Sequence, residues 1–304
     1  MNNSSVTAII TTYKRDVPIL KRAIDSVLNQ THKDIEIIVV NDCPNYENIT
    51  SINELISTYD KRITYLINER NMGANAARNR GVSESTNNII AFLDDDDEWL
   101  PNKIEESLKY FSEEVGLVYS DLLLVENGKE RYLRKKAYND HNLLPQLLSG
   151  NFVGGFSSVV FKKSIFIACN GLDTNLPSYQ DLDLWIRMAS LCKFQHVKKP
   201  LIKYFIMEDS ISLNVNKKIS GTYSLFSKYD VYYTTYPESR RIRTNNEIIF
   251  YIKNGWFKSA FKVYFREYSG NDFLKNSHCI LQGLIKYLAF KTISIKKLMG
   301  GSYR

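Results

Sequence analysis

Cysteine is scarce in this 304-residue chain, and its four copies, Cys43, Cys169, Cys192 and Cys279, form no CxxC pair. That scatter argues against a zinc site or a disulfide framework and suits a reducing compartment. No run of about 18 apolar residues occurs, so no segment is expected to span a membrane. The opening "MNNSSVTAII" lacks a basic stretch followed by a long apolar core, so no secretory leader is expected. Helix-turn-helix, finger and RNP signatures are missing too, which argues against a nucleic-acid partner. After the first apolar run comes "TTYKRD", with no glycine for a phosphate-cradling loop.

What charge there is lies unevenly. Residues 1–239 carry 27 Lys and Arg against 30 Asp and Glu, a net of −3, whereas residues 240–304 carry 13 against 3, a net of +10. The basic character belongs to the tail. Because the tail is also apolar, an anionic membrane surface is the expected partner.

Along the first half, short apolar runs alternate with helical patterns, as in βαβ units around a mostly parallel sheet. Strands are expected at 6–11, 35–41, 63–68 and 89–93. Helices are expected from Asp16 as N-cap with Pro18 just inside, from about residue 48, and from Gly73. "GLVYSDLLLV" (116–125) and "FSSVVF" (156–161) read as further strands and 179–191 as a helix. Beyond about 215 the pattern turns helical. The expected division is 1–215, an α/β domain, and 216–304, a smaller helical region.

Ligands of open α/β sheets bind outside the carboxyl ends of the strands. Those ends carry Thr11-Thr12-Tyr13, Asn41-Asp42 and Asp94-Asp95-Asp96-Asp97. Four adjacent carboxylates repel one another unless a cation joins them. An all-oxygen set suits Mg²⁺ or Mn²⁺. A calcium loop of the EF-hand kind is excluded, since Trp99 stands where its sixth-position glycine belongs.

Four stretches in order, "VTAIITTYKR", "IIVVND", "NMGANAARNRG…IIAFLDDDDEWLP" and "GLDTNLPSYQDLDLWIRMA", resemble the family-two inverting glycosyltransferases, including those of bacterial surface polysaccharides. The likeness runs from residue 5 to about 212. It implies a GT-A fold and transfer from a nucleotide-sugar, UDP-sugar favoured and dTDP-sugar not excluded, to a hydroxyl of a glycan or lipid-linked glycan. It also implies roles. Thr11, Tyr13, Asn71 and Arg78 match nucleotide-contacting positions, and Asp42 the acceptor of uracil N3–H. Asp94 and Asp95 approach ribose and diphosphate, Asp96 binds Mn²⁺ or Mg²⁺ with Asp97 beside it, and Asp181 is the base.

Each residue also has a plainer reading. Ser178 and Asp181 have capping-box spacing, Asp42 could open a turn before Pro44, and Arg78 could lie on a solvated helix face. Gln180 replaces the family's usual glutamate, and Asp183 is expected to be structural. Many relatives carry Arg-x-His where this chain has Phe205 and Met207, so the third metal ligand falls to water, Glu208 or Asp209. Two rival functions remain. A sugar-1-phosphate nucleotidyltransferase should show the missing glycine loop, and a non-catalytic sugar-nucleotide-binding scaffold has no need of Asp96 and Asp181 together. A glycosidase needs two carboxylates flanking a sugar rather than an aspartate cluster at strand ends.

In the tail, Ile280, Leu284, Tyr287, Leu288, Ile295 and Leu298 are expected on one apolar stripe, with Lys286, Lys296 and Lys297 opposite. Such a stripe suits either a membrane surface or a docking face, including a homodimer's. The expected place of action is the cytoplasm, peripheral at the inner face of the plasma membrane.

Overall fold

The computed structural model describes residues 4–59, 62–138, 142–206, 214–268 and 270–299, leaving aside the side chains of 271 and 290–299. The chain divides into two compact units, Met1–Leu147 with Asn151–Leu213, and Leu148–Gly150 with Asn214–Arg304.

The first unit begins with β1 (Val6–Thr12), α1 (Val17–Leu28), β2 (Ile35–Asn41), α2 (Ile49–Ser57), β3 (Ile63–Ile67), α3 (Ala74–Glu84) and β4 (Ile89–Asp94). These four strands are parallel, in the order β3-β2-β1-β4. β1 and β4 are buried along almost their whole length because both faces of the sheet are covered. α1 starts at Asp16 with Pro18 in its first turn and buries Leu20, Ala23, Ile24 and Val27 against the sheet. Gly81 of α3 lies so close to Ile9 that any side chain there would clash, which explains this helix's small residues.

After β4 the chain forms β5 (Glu98–Trp99), α4 (Lys103–Leu108), β6 (Val115–Glu126), β7 (Lys129–Leu133), α5 (Leu144–Ser149), β8 (Val159–Lys162), α6 (Lys163–Ala168), α7 (Gln180–Met188) and β9 (Lys193–Phe205). The sheet continues β4-β8-β6-β9-β5, with β7 on β6. β8 is antiparallel to β4 and β6, so this half is mixed. One sequence expectation needs correcting, and one long strand was not expected. Residues 156–158 form a 3₁₀ turn rather than the start of a strand. The long β9 is a strand that periodicity missed, because its lysines mask the alternation and Pro200 sits beside a register shift in its pairing with β6.

The second unit holds α8 (Val215–Lys228), α9 (Asp230–Thr235), α10 (Pro237–Lys253), α11 (Phe257–Glu267), α12 (Asn271–Lys275) and α13 (His278–Met299). Ile248, Tyr251, Ile252, Ala260, Val263, Tyr264 and Cys279 form its core. The expected single stripe on α13 is in fact two faces. Ile280 and Tyr287 pack against the core, whereas Leu284 and Leu288 are exposed. The side chains of Ile295, Lys296, Lys297 and Leu298 lie outside the described residues. No helix among the described residues is long and apolar enough to cross a membrane.

Candidate active site

The carboxyl edge of β1, β2 and β4 carries the expected cluster. Asp94 ends β4, and the turn that follows is pinned beyond the aspartates by Trp99. That ring is buried and its Nε1 donates to the Ser157 carbonyl at 3.2 Å. β5 pairs with β9, and the Leu100 N–H donates to the Leu201 carbonyl at 2.9 Å. The four aspartates are thus held between two anchored strands.

Within that turn each carboxylate has its own surroundings. Asp94 Oδ1 accepts from Arg78 Nη2 at 2.6 Å, and the Arg78 guanidinium lies over the Phe156 ring, 4.1 Å from its centroid. Asp95 Oδ1 accepts from Arg15 Nε at 2.9 Å, and Arg15 Nη2 reaches Asp96 Oδ2 at 3.3 Å. Arg22 donates to the Asp96 carbonyl and lies 3.6 Å over the Phe205 ring. Asp97 Oδ1 accepts from the Phe205 N–H at 3.2 Å. Its buried Oδ2 makes no hydrogen bond of normal geometry, although the Ser157 hydroxyl is near enough to favour the charged form.

Burial raises three of these carboxyl pKa values. Asp95 is raised by burial, against the opposing charge of Arg15. Asp96 is pushed up to about 6, by burial first and then by Asp94 and Asp95. Asp97 is raised well above the usual range by burial and by the charges of Asp94 and Asp96. Even with Arg15 in place the cluster is short of positive charge.

A divalent cation fits this chemistry. Among the described residues no three carboxylate, imidazole or thiolate groups are assembled as a ready-made cage. Mg²⁺ sites that use substrate phosphates need only one or two carboxylates. The orphaned oxygen of Asp97 and the raised pKa of Asp96 mark where positive charge is wanted. Glu208 and Asp209, the candidate third ligands, lie outside the described residues, as does Met207.

The expected nucleotide positions gather on the same edge. Thr11 and Asp42 are buried, while Tyr13 is 45% exposed at the mouth. Asp42 is heavily engaged: Oδ1 accepts from Asn68 Nδ2 at 2.7 Å and the Met72 N–H at 2.8 Å, and Oδ2 from the Gly73 N–H at 2.7 Å. It therefore clamps the loop between β3 and α3, with acceptor capacity left only on Oδ2. Asn71 caps the same loop, its Oδ1 accepting from Gly73 N–H at 3.0 Å. Gly73, at φ +87°, occupies a conformation that a side chain would strain.

Asp181 lies in the first turn of α7, following Tyr179 at φ 62°. Its Oδ1 accepts from the Leu182 N–H at 2.7 Å and its Oδ2 from Asn151 Nδ2 at 2.8 Å. The Asp181 pKa is raised by burial, against these two donors; Asp94 raises it further and Lys135 opposes. The carboxylate keeps partial access to solvent. Asp183 is buried and paired with Arg187 at 2.6 Å, a structural contact.

Sequence reasoning missed Asn151, Lys135, Arg15 and Arg22. Asn151 is fixed in turn by the Gly154 N–H, which donates to its Oδ1 at 2.8 Å. The Gly154 carbonyl accepts from Trp185 Nε1 at 2.9 Å. Lys135 Nζ occupies the space a side chain at Gly154 would fill, and burial lowers its pKa while Asp181 and Asp121 oppose that shift.

Comparison with known proteins meets this geometry at the family level. Residues 7–169 match the model described as Glycosyl transferase family 2. The chain belongs to that family. It is 31% identical over 243 residues to an uncharacterized glycosyltransferase of Methanocaldococcus jannaschii, covering 74% of this chain and 79% of that protein. It is 28% identical over 223 residues to the Campylobacter jejuni GalNAc(5)-diNAcBac-PP-undecaprenol beta-1,3-glucosyltransferase, covering 72% and 70%. A putative colanic acid biosynthesis glycosyl transferase of Escherichia coli is 30% identical over 207 residues, covering 62% and 67%.

Two solved structures share the GT-A fold. The Pyrobaculum calidifontis mannosyltransferase PcManGT, in complex with GDP-Man and Mn²⁺, has a TM-score of 0.60 at 14% identity, covering 94% of this chain and 87% of that one. TarS of S. aureus has a TM-score of 0.59 at 13% identity. There the chain spans 93% of its own length but only 54% of TarS. The protein is therefore a glycosyltransferase, with relatives in polysaccharide biosynthesis.

Proposed function

We propose that this glycosyltransferase inverts the anomeric centre of a UDP-sugar and depends on Mn²⁺ or Mg²⁺. A dTDP-sugar presents the same N3–H and is the nearest alternative donor. The acceptor is a hydroxyl of a glycan or lipid-linked glycan in surface polysaccharide assembly, met in the cytoplasm at the inner face of the plasma membrane. The observation that supports this reading is that one segment, 151–157, touches both ends: Asn151 Nδ2 donates to Asp181 Oδ2 at 2.8 Å, and the Asp94 N–H donates to Ser157 Oγ at 3.1 Å. In this reading nucleotide edge and base belong to one site.

In this reading Asp42, Thr11, Tyr13 and Asn71 frame the base, and Asp94 and Asp95 face ribose and diphosphate. Asp96, with Asp97 beside it, would hold the cation, whose contribution is to neutralise the leaving diphosphate. Arg78 orients Asp94 through its short bond. Asp181 accepts the proton of the acceptor hydroxyl as that oxygen bonds to the anomeric carbon and the bond to the diphosphate breaks, releasing UDP. A raised pKa brings a carboxylate nearer the working pH of a general base.

Calorimetry of UDP with and without Mn²⁺, on wild type and Asp96→Ala, tests the metal seat. Binding should need Mn²⁺ and fail in the variant. UDP binding equally well in EDTA would overturn it. A thermal-shift screen of UDP-, dTDP- and GDP-sugars tests the base, and stabilisation by a GDP-sugar alone would overturn the uracil assignment.

A further inference from the structure

The last helix is apolar on two opposite sides. Toward the unit's core, Cys279, Gly283 and Tyr287 follow one another at helical spacing. A Cβ on Gly283 would meet Ile252 of α10 at 2.8 Å, so the two helices approach closely there. Tyr287 lies edge-on to Phe257 at 5.1 Å. This face is spent on holding the unit together.

The opposite face is exposed. Leu281, Leu284, Ile285 and Leu288 fall at i, i+3, i+4 and i+7 and are 61%, 37%, 58% and 61% exposed. That spacing is one continuous stripe on a helix. An exposed leucine alone needs no explanation, but four in a row on one stripe mark a contact surface.

Charge decides what it contacts. Residues 240–304 carry a net charge of +10. Of their three acids, Glu247 is engaged by Arg243 and Lys218, and Glu267 by Arg240 and Arg266. Lys258, Lys262, Lys275 and Lys286 are exposed on the same unit. A second copy would bring this positive charge against itself, and four aliphatic side chains fall well short of the about 800 Å² per partner of a stable dimer. An apolar stripe within a basic unit is instead the make-up of a segment that lies in the interface of an anionic bilayer.

We infer that the outer face of α13 docks on an anionic membrane surface, with Leu281, Leu284, Ile285 and Leu288 entering the headgroup region and the unit's lysines meeting lipid phosphates. This deepens the reading of a peripheral enzyme given above, yet it stands on the second unit alone.

Co-sedimentation with vesicles tests it, comparing pure phosphatidylcholine with a mixture containing phosphatidylglycerol. Wild type should bind only the anionic vesicles and lose binding steeply as salt rises. The double variants Leu281→Ser/Ile285→Ser and Leu284→Ser/Leu288→Ser leave the inner face intact and should each bind at least about tenfold less. Circular dichroism should show both folded, and transfer to a soluble acceptor should stay at the wild-type rate. Absence of wild-type binding, or full binding by both folded variants, overturns the inference. So does a wild-type dimer in light scattering that the variants abolish, because the occupant is then a second copy. Vesicle binding that persists in a protein without transferase activity would sink the functional reading and leave this one standing.

Discussion

Asn151 Nδ2 and Asp181 Oδ2 are 2.8 Å apart, and the Leu182 N–H meets the other carboxylate oxygen at 2.7 Å. Two donors favour the charged form of a largely enclosed carboxylate, against the effect of burial, and fix its plane. Asp181→Asn preserves shape but cannot accept the proton, so kcat should fall by about 10² to 10⁴ with UDP affinity nearly unchanged. Near-normal transfer by this variant would remove Asp181 as the base.

Asn151→Ala separates positioning from folding. The carboxylate loses one donor to its charged form, so its pKa should rise, and the acidic limb of the pH–rate profile should move to higher pH. Transfer at neutral pH should drop by about tenfold, while UDP affinity stays. A purely structural Asn151 predicts lower melting temperature with an unmoved profile.

Arg15 pairs with both Asp95 and Asp96, where the proposed cation would sit. Arg15→Gln removes a competing positive charge, so Mn²⁺ affinity without nucleotide should increase by about tenfold, since one displaced charge pair is worth roughly 1 kcal/mol or more. Electron paramagnetic resonance of free Mn²⁺ reads this directly. Unchanged or weaker affinity would mean that Arg15 supports the site rather than competing for it.

Asp96 gives a pH dependence whose sign follows from its shift. Its folded pKa of about 6 exceeds the unfolded 3.8, so between these values the folded state holds the extra proton. Stability without metal should fall as pH rises from about 4 to about 6 and level off above. Asp96→Asn should flatten that slope. Mn²⁺ affinity should run the other way, weakening as pH falls through about 6.

What was legible in the sequence follows a physical rule. β1, β2 and β4 could be read because a strand covered on both faces is dominated by apolar residues, and Asp94 to Asp97 because they stand at the end of one. β9 could not, since its inward positions are interleaved with Lys198, Lys199, Pro200 and Lys203. Arg15 and Asn151 were silent for another reason. Their roles come from partners 80 and 30 residues away, and nothing local to "TTYKRD" or "SGNFVGG" sets either residue apart. On α13 both faces are apolar, so a stripe chosen by periodicity alone mixed residues of each.

Lys103 is a cost that the active site's scaffold carries. Its side chain is fully buried, its ammonium has no hydrogen-bond partner, and it lies 5.3 Å from the ring centroid of Trp99, the anchor of the aspartate turn. Burial alone lowers its pKa to about 7. Unfolded, it titrates near 10.5, so between these values the unfolded state binds more protons and Lys103 makes stability rise with pH. Buried thiols pull the other way in the same range, because Cys192 and Cys279 are raised by burial and ionise more readily when unfolded. The comparison must therefore be with Lys103→Met, which keeps an unbranched side chain of nearly the same length and removes the amine. Urea unfolding at pH 6 to 9 should find the variant more stable by about 1–3 kcal/mol at pH 6, the cost of an unsatisfied buried polar group. That advantage should shrink as pH rises and the wild-type amine is deprotonated. An advantage independent of pH would mean the folded amine keeps its proton throughout, and none at all would mean that its ammonium finds a partner in solution.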